Sequence, residues 1–247
     1  MFQLSEVSSD SDFDELIPLL WHSYSQPRIG FLPLLFPSED DSPEAREKAM
    51  QMSKQVFLKM HHADPSGHWL KVLDTDTGEI IGGCRWHVHE SNPYEKARGK
   101  PFVALTYPEG TERCFASLVL GQVLNPRAER YVRPHTRKPA DFTQLFYNIR
   151  LLRELDLHIC FVHPEYRRRG VGSMMVEWGV TKADKMGVES FLEATLIGRL
   201  LYEKFGFVVV TTEEADTTIE KPNENWKRLE QRFLPYKWYV ISFQAFA

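Results

Sequence analysis

Three consecutive arginines, Arg167, Arg168 and Arg169, run directly into Gly170-Val171-Gly172-Ser173. Glycine has no Cβ, so its backbone can turn tightly and come close to a ligand. The N–H groups of a helix's first turn have no partner within the helix, and the helix dipole favours an anion there. A helix opening at Gly170 beside guanidinium groups therefore has the chemistry of a pyrophosphate cradle. Two common phosphate motifs are excluded. G-x-x-x-x-G-K-[ST] is absent, and Gly170-x-Gly172 is followed by Met175 where G-x-G-x-x-G needs a glycine.

Immediately upstream, residues 155–162 (LDLHICFV) read as a strand. Side chains alternate along a strand, so Asp156, His158, Cys160 and Val162 are expected on one face. Leu157, Ile159 and Phe161 are expected on the other, facing the core. A carboxylate two residues from a histidine can hold the imidazole as a general base. Either side chain, or a water held by one of them, could take the proton. Nothing marks Cys160 as an activated nucleophile.

Other chemistry-bearing residues read as structural. His87 and His89 are spaced to share a metal ion, but no cysteine or carboxylate set completes a site in the sequence, and no metal is expected. His61-His62 falls at a helix end, where histidine suits the dipole. Met174, Met175 and Trp178 recur at helical spacing as a core face. Trp21, Trp69 and Trp86 are read as core. The basic run at 127–139 could meet RNA or an acidic substrate, but the net charge of −4 favours a solvated lid.

The elements that must position these groups are set by periodicity and punctuation. Residues 2–7 alternate as a strand. Asp10 or Ser11 is expected to cap a helix through Tyr24, carrying Leu16, Leu19, Leu20 and Tyr24 at helical spacing. Pro27, Pro33 and Pro37 break the next stretch. Ser42-Pro43 opens a second helix running to about His62. Strands at 68–74 and 79–89 flank the turn Asp74-Thr75-Asp76-Thr77-Gly78 as an antiparallel hairpin. Residues 90–141 hold six prolines and few periodic runs, which reads as a long insert acting as a lid. Asp141 is expected to cap a helix over 142–154. A helix from Gly170 to about Met186, a strand at 189–195, a short helix at 199–205 and strands at 207–212 and 236–243 complete the chain. The strand–helix–strand crossover from 155 to 195 must be parallel.

Arg167-x-x-Gly170-x-Gly172 comes after a strand that ends Val162-x-Pro164. Leu201-Tyr202-Glu203-Lys204-Phe205-Gly206-Phe207 lies downstream, after a strand ending Glu193-Ala194-Thr195. Together these resemble the signature of the GNAT superfamily of acetyltransferases. The detailed match covers residues 155–207, about a fifth of the chain, and the upstream element order is also that of the superfamily. The long insert and "LYEKFGF" resemble a fungal branch of it.

The resemblance implies one α/β domain over residues 1–247. Its central sheet would be mixed and mostly antiparallel, with a splayed parallel pair and helices on both faces. Acetyl-CoA is the implied co-substrate. Cys160, Phe161 and Val162 would meet its pantetheine arm; Arg167, Arg168, Arg169, Gly170, Val171, Gly172 and Ser173 its pyrophosphate. Tyr202 matches the tyrosine that protonates the departing thiolate. Asp156 and His158 match positions that carry the base. The implied reaction is direct transfer of acetyl to a primary amine, expected to be that of a small molecule. A protein N-terminus or lysine as acceptor, or a non-catalytic acyl-CoA sensor, are the alternatives.

Composition sets the surroundings. Hydrophobic residues make up 43% and charged residues 26%, as in ordinary globular proteins. Three separated cysteines do not form a disulfide framework, and the acidic N-terminus is no signal peptide, so a cytoplasmic location is expected. No nucleic-acid or membrane partner is expected, and the protein should be a monomer or homodimer.

Overall fold

The computed structural model describes residues 1–38, 40, 42–89, 99–130 and 154–244. The first strand, β1 (Phe2–Glu6), pairs with β2 (Gly67–Asp74), which forms a hairpin with β3 (Ile80–His89). Next come β4 (Glu154–Val162), β5 (Ser190–Ala194), β6 (Val208–Glu214) and β7 (Lys237–Phe243). They form one seven-stranded sheet in the order β1-β2-β3-β4-β5-β7-β6. All neighbours are antiparallel except β4 and β5. The sheet is thus the mixed one expected.

Helices cover both faces. On one side, α1 (Phe13–Ser25), α2 (Phe31–Leu35) and α3 (Pro43–Ala63) bury Phe13, Leu16, Leu20, Leu32 and Phe57 against Trp69, Ile159 and Phe161. Ser42 caps α3 by accepting from the Ala45 N–H at 3.2 Å, with Pro43 at its first position, as read from the sequence. The entry to α1 differs: Ser9, not Asp10 or Ser11, caps a single 3₁₀ turn that leads into the helix. The next helix, α4 (Thr111–Arg130), buries Phe115 and Val119 in one cluster with Leu34 of α2. On the opposite face of the sheet lie α5 (Val171–Met186) and α6 (Leu196–Glu203), which pack on Leu155, Leu157, Trp86 and Ile241. Gly179 is what lets α5 approach the sheet: a Cβ there would stand 2.2 Å from the Trp86 ring.

Three helices were not expected: the short α2 among the prolines at 27–37, α4 in the proline-rich stretch, and α7 (Glu224–Phe233) in the segment before the last strand. Phe115, Val119, Leu120 and Val123 do recur at helical spacing. Their burial against Trp226, Phe233 and Val240 overrides the interruption by Pro126. The reading of 90–141 as an aperiodic insert is corrected to that extent. The helix expected over 142–154 and most of the basic run at 127–139 lie outside the described residues. Among the described residues, no helix is long and apolar enough to cross a membrane.

Candidate functional site

The parallel pair at the sheet's centre barely pairs. β4 and β5 meet only at Leu155–Ser190 and Asp156–Phe191. From Leu157 to Val162, β4 therefore turns an edge of backbone amides toward a gap rather than toward β5. Buried backbone groups need hydrogen-bond partners, so such an edge suits a ligand that carries amides.

At the C-terminal end of β4 the chain passes through a 3₁₀ turn (Pro164–Tyr166) into α5. Gly170 caps α5 with φ 93°, a left-handed conformation that glycine takes without strain. No side chain caps this end, and a Cβ on Gly170 would meet nothing within 4 Å. The first helical hydrogen bond joins the Met174 N–H to the Gly170 carbonyl at 3.2 Å, so the N–H groups of Val171, Gly172 and Ser173 precede the ladder. Gly172 serves packing: a Cβ there would lie 2.8 Å from Leu201 Cδ2 on α6.

The three arginines have three different roles. Arg167 is a strap. Its guanidinium donates to the carbonyls of Gln26, of Ser23 at 2.7 Å and of Val162 at 3.4 Å, tying α1 to the end of β4. Arg169 lies over the rings of Tyr166 and Phe2, at 4.6 and 5.1 Å. Arg168 is exposed and has a positive φ of 59°, which adds a second left-handed residue to the turn.

Tyr202, on the last turn of α6, is buried and its hydroxyl donates to the Cys160 thiol. Burial pushes the Tyr202 hydroxyl well above its ordinary range, and the nearby Cys160 adds to this, so it stays protonated. Burial also pushes the Cys160 thiol up to about 12, with the Tyr202 hydrogen bond opposing. The thiol is therefore no nucleophile at neutral pH. Tyr24 of α1 reaches the same spot from the opposite face, since Cys160 and Tyr202 each share an electrostatic interaction with it. Tyr24 also lines a cavity of about 270 Å³ together with Trp21, Arg28, Leu32, Asp40, Arg46 and Arg232.

Strict alternation along β4 fails. Pairing with β3 steps from Arg85–Ile159 to Trp86–Leu157, so His158 is the extra residue of a β-bulge. Beyond it the faces exchange. Leu155 and Leu157 pack on the α5 side with Cys160 and Val162, whereas Ile159 and Phe161 pack on the α1 side. The expectation that Asp156, His158, Cys160 and Val162 share one face is corrected accordingly. Phe161, whose side chain lies in the α1-side core, offers the gap only its backbone.

The bulge gathers polar groups that sequence reasoning left apart. His158 stacks beside His87, with ring centroids 5.0 Å apart, and His87 lies 5.3 Å from His89. His89 Nε2 and Asp156 Oδ2 are 3.1 Å apart. Arg127 of α4 donates from Nε to Glu193 of β5 at 2.9 Å, and its Nη1 stands 4.0 Å from Asp156 Oδ1. Burial disfavours the Asp156 carboxylate, yet the His89 hydrogen bond and the Arg127 charge outweigh it and hold it well below the usual carboxylate range. Burial, then Arg127 and His87, push His158 well below the usual histidine range; His87 is pushed down to about 4, chiefly by burial. At neutral pH the cluster holds an ionised aspartate and uncharged His87 and His158, the form in which an imidazole can accept a proton.

Two features here were missed by sequence reasoning. Arg127 was placed in a solvated basic run but is buried against Glu193. His87 and His89 were denied a carboxylate, yet Asp156 stands opposite His87 on the neighbouring strand. The periodicity of β3 put both histidines on one face, but only the β3–β4 register supplies the third group.

Comparison with known proteins agrees with this geometry. Residues 136–209 match the acetyltransferase (GNAT) domain family. A probable acyltransferase, SID5, of Ajellomyces capsulatus is 37% identical over 41 residues, which span 17% of this chain and 30% of that protein. Three solved structures are similar over nearly their whole length. Arylalkylamine N-acetyltransferase 2 of Aedes aegypti has a TM-score of 0.58 at 16% identity, covering 98% of each chain. The polyamine N-acetyltransferase of Drosophila melanogaster, which forms N-acetylagmatine, has a TM-score of 0.57 at 15% identity, covering 99% of this chain and 100% of that one. A histone acetyltransferase HPA2-related protein of Corynebacterium glutamicum has a TM-score of 0.57 at 13% identity, covering 100% of this chain and 97% of that one. Residues 136–209 thus match a GNAT acetyltransferase domain, and the chain has the fold of the solved N-acetyltransferases to which it is similar.

Proposed function

We propose that this protein transfers an acetyl group from acetyl-CoA directly to the primary amine of a small molecule. The observation that carries the reading is the gap itself. A strand edge with free amides leads into an uncapped, glycine-initiated helix, and a buried tyrosine hydroxyl is aimed at a sulfur beside that edge. The pantetheine arm would pair with β4 between Leu157 and Val162. The pyrophosphate would sit on the N–H groups from Arg168 to Ser173, with Arg168 as the outward guanidinium. Arg167 would contribute by fixing the end of β4 rather than by touching phosphate.

In the reaction, His158 takes the proton from the ammonium, and the ionised Asp156 stabilises positive charge in the cluster. The freed amine attacks the thioester carbonyl, β4 amides steady the oxyanion, Tyr202 gives its proton to the leaving thiolate, and the proton that the attacking nitrogen sheds as the intermediate collapses restores the Tyr202 hydroxyl. Holding both reactants in one cleft can supply about 7–11 kcal/mol of the barrier reduction. The acceptor would approach through the cavity walled by Trp21 and Tyr24, whose size of about 270 Å³ suits a small molecule. Several structurally similar proteins act on small amines: a polyamine, agmatine and arylalkylamines.

The test is calorimetric titration of the purified protein with acetyl-CoA, followed by a thiol-release screen over a panel of small amines and peptide N-termini. Saturable binding with turnover on a small amine supports the reading. Turnover on peptides alone replaces the acceptor class. Binding without any turnover favours an acyl-CoA sensor, and no binding overturns the cofactor site.

A further inference from the structure

We propose that His87, His89 and Asp156 form a binding site for a divalent transition-metal ion of the zinc type. The proposal does not depend on the acetyltransferase reading. One donor atom from each of the three residues lies within 4.8 Å of the others. The residues are 8%, 7% and 1% exposed, so this is a built interior cluster and not a chance grouping of surface acids. It is held by two adjacent strands in fixed register, with His87 directly opposite Asp156.

Two further observations point to an ion. His87 Nε2 is buried and has no hydrogen-bond partner among the described residues, which leaves an imidazole nitrogen desolvated with nothing in return. The other ring nitrogen, Nδ1, faces the carboxylate of Asp64, with Oδ2 at 3.6 Å. A carboxylate on one nitrogen of a histidine is the usual outer partner of a metal ligand, because it fixes the ring and leaves the second nitrogen to bind. Asp64 is itself fixed by Ser66 and by Arg85, the latter at 3.2 Å.

One edge of the cluster already has the dimensions of a zinc site. With zinc–ligand bonds near 2.0 Å, the edge of a tetrahedral site is about 3.3 Å. His89 Nε2 and Asp156 Oδ2 are already 3.1 Å apart. An ion would take the place of the proton between them, and a small rotation of His87 would complete a site of two histidines and one carboxylate. The fourth position would be open toward His158. Because Asp156 is shared with the proposed proton-accepting cluster, a bound ion should also slow amine turnover.

The test uses the full-length protein, freed of metal and titrated with cobalt chloride and then zinc chloride. Cobalt should give the visible bands of a low-coordinate site at one equivalent, and zinc should displace it. His87→Gln and His89→Gln should each weaken binding by about 100-fold, and Asp64→Asn by about tenfold, the range for an outer-shell partner. Thermal melts without metal show which variants fold. The His61→Gln/His62→Gln double variant, which removes the neighbouring histidine pair, should bind normally. Absence of cobalt bands in the wild-type protein overturns the proposal whatever the variants do. So does binding that tracks His61 and His62 instead of the buried cluster.

Discussion

The two ends of β4 were written in different kinds of code. Its C-terminal end and the start of α5 are a local motif: Gly170 needs its left-handed φ, Gly172 its contact with Leu201, and both appear in sequence as a fixed spacing. Its N-terminal end is a meeting place of residues far apart in the chain. His87, His89, Arg127, Asp156, His158 and Glu193 come from four elements. What brings them together is the register between strands and one bulge, and neither has a signature in a single sequence. In the proposed reading, the cofactor end is encoded as a local motif, whereas the acceptor end is set by tertiary placement.

That contrast predicts how each end should fail. The largest effects should come from the groups that the proposed reaction sets at the reacting atoms. Tyr202→Phe and His158→Gln should each lower kcat by about 100-fold or more while acetyl-CoA affinity changes by less than about threefold, as expected for loss of a general acid or base. Equal turnover in either variant would remove that residue from the mechanism. Gly170→Asp should do the reverse. Placing a carboxylate and a strained left-handed residue at the cradle should weaken acetyl-CoA binding by roughly 100-fold. Unchanged affinity by calorimetry would mean that the turn holds no phosphate.

The third effect concerns the packing that both ends share. Gly179→Ala drives a methyl group into the Trp86 ring and should cost about 1–3 kcal/mol of stability, read from chemical denaturation. A neutral result would mean that α5 shifts freely over the sheet, and then the cradle would not be fixed by it. The smallest effect separates the ends by pH. His87 titrates from 6.5 unfolded to about 4 folded, so the unfolded chain binds more protons between these values. Its contribution is complete above pH 6.5 and should be lost toward pH 4 at about 1.4 kcal/mol per unit. His87→Gln should flatten that part of the stability profile. An unaltered slope would show that other groups dominate it.

Much of the fold was legible because β1, the β2–β3 hairpin and the β4–α5–β5 crossover each carry strong local periodicity and clear breakers. The failures have physical causes. The helix α4 was hidden by Pro126 and revealed only by what Phe115 and Val119 pack against. The short α2 lies among prolines and is stabilised by burial of Leu32 and Leu34, not by propensity. On β4, Asp156 and His158 were found as chemistry-bearing residues, but their shared face was derived from an alternation that the bulge interrupts. Arg127 looked like one charge in a basic run because its partner, Glu193, is 66 residues away.

Amide hydrogen exchange with and without acetyl-CoA tests the central claim most directly, because it reports where the cofactor lies independently of turnover. The account predicts that protection rises in two stretches, residues 157–162 along the open edge of β4 and residues 168–174 at the start of α5, with little change in β1 and β2. Protection elsewhere, or no change at the β4 edge on saturation, would contradict it.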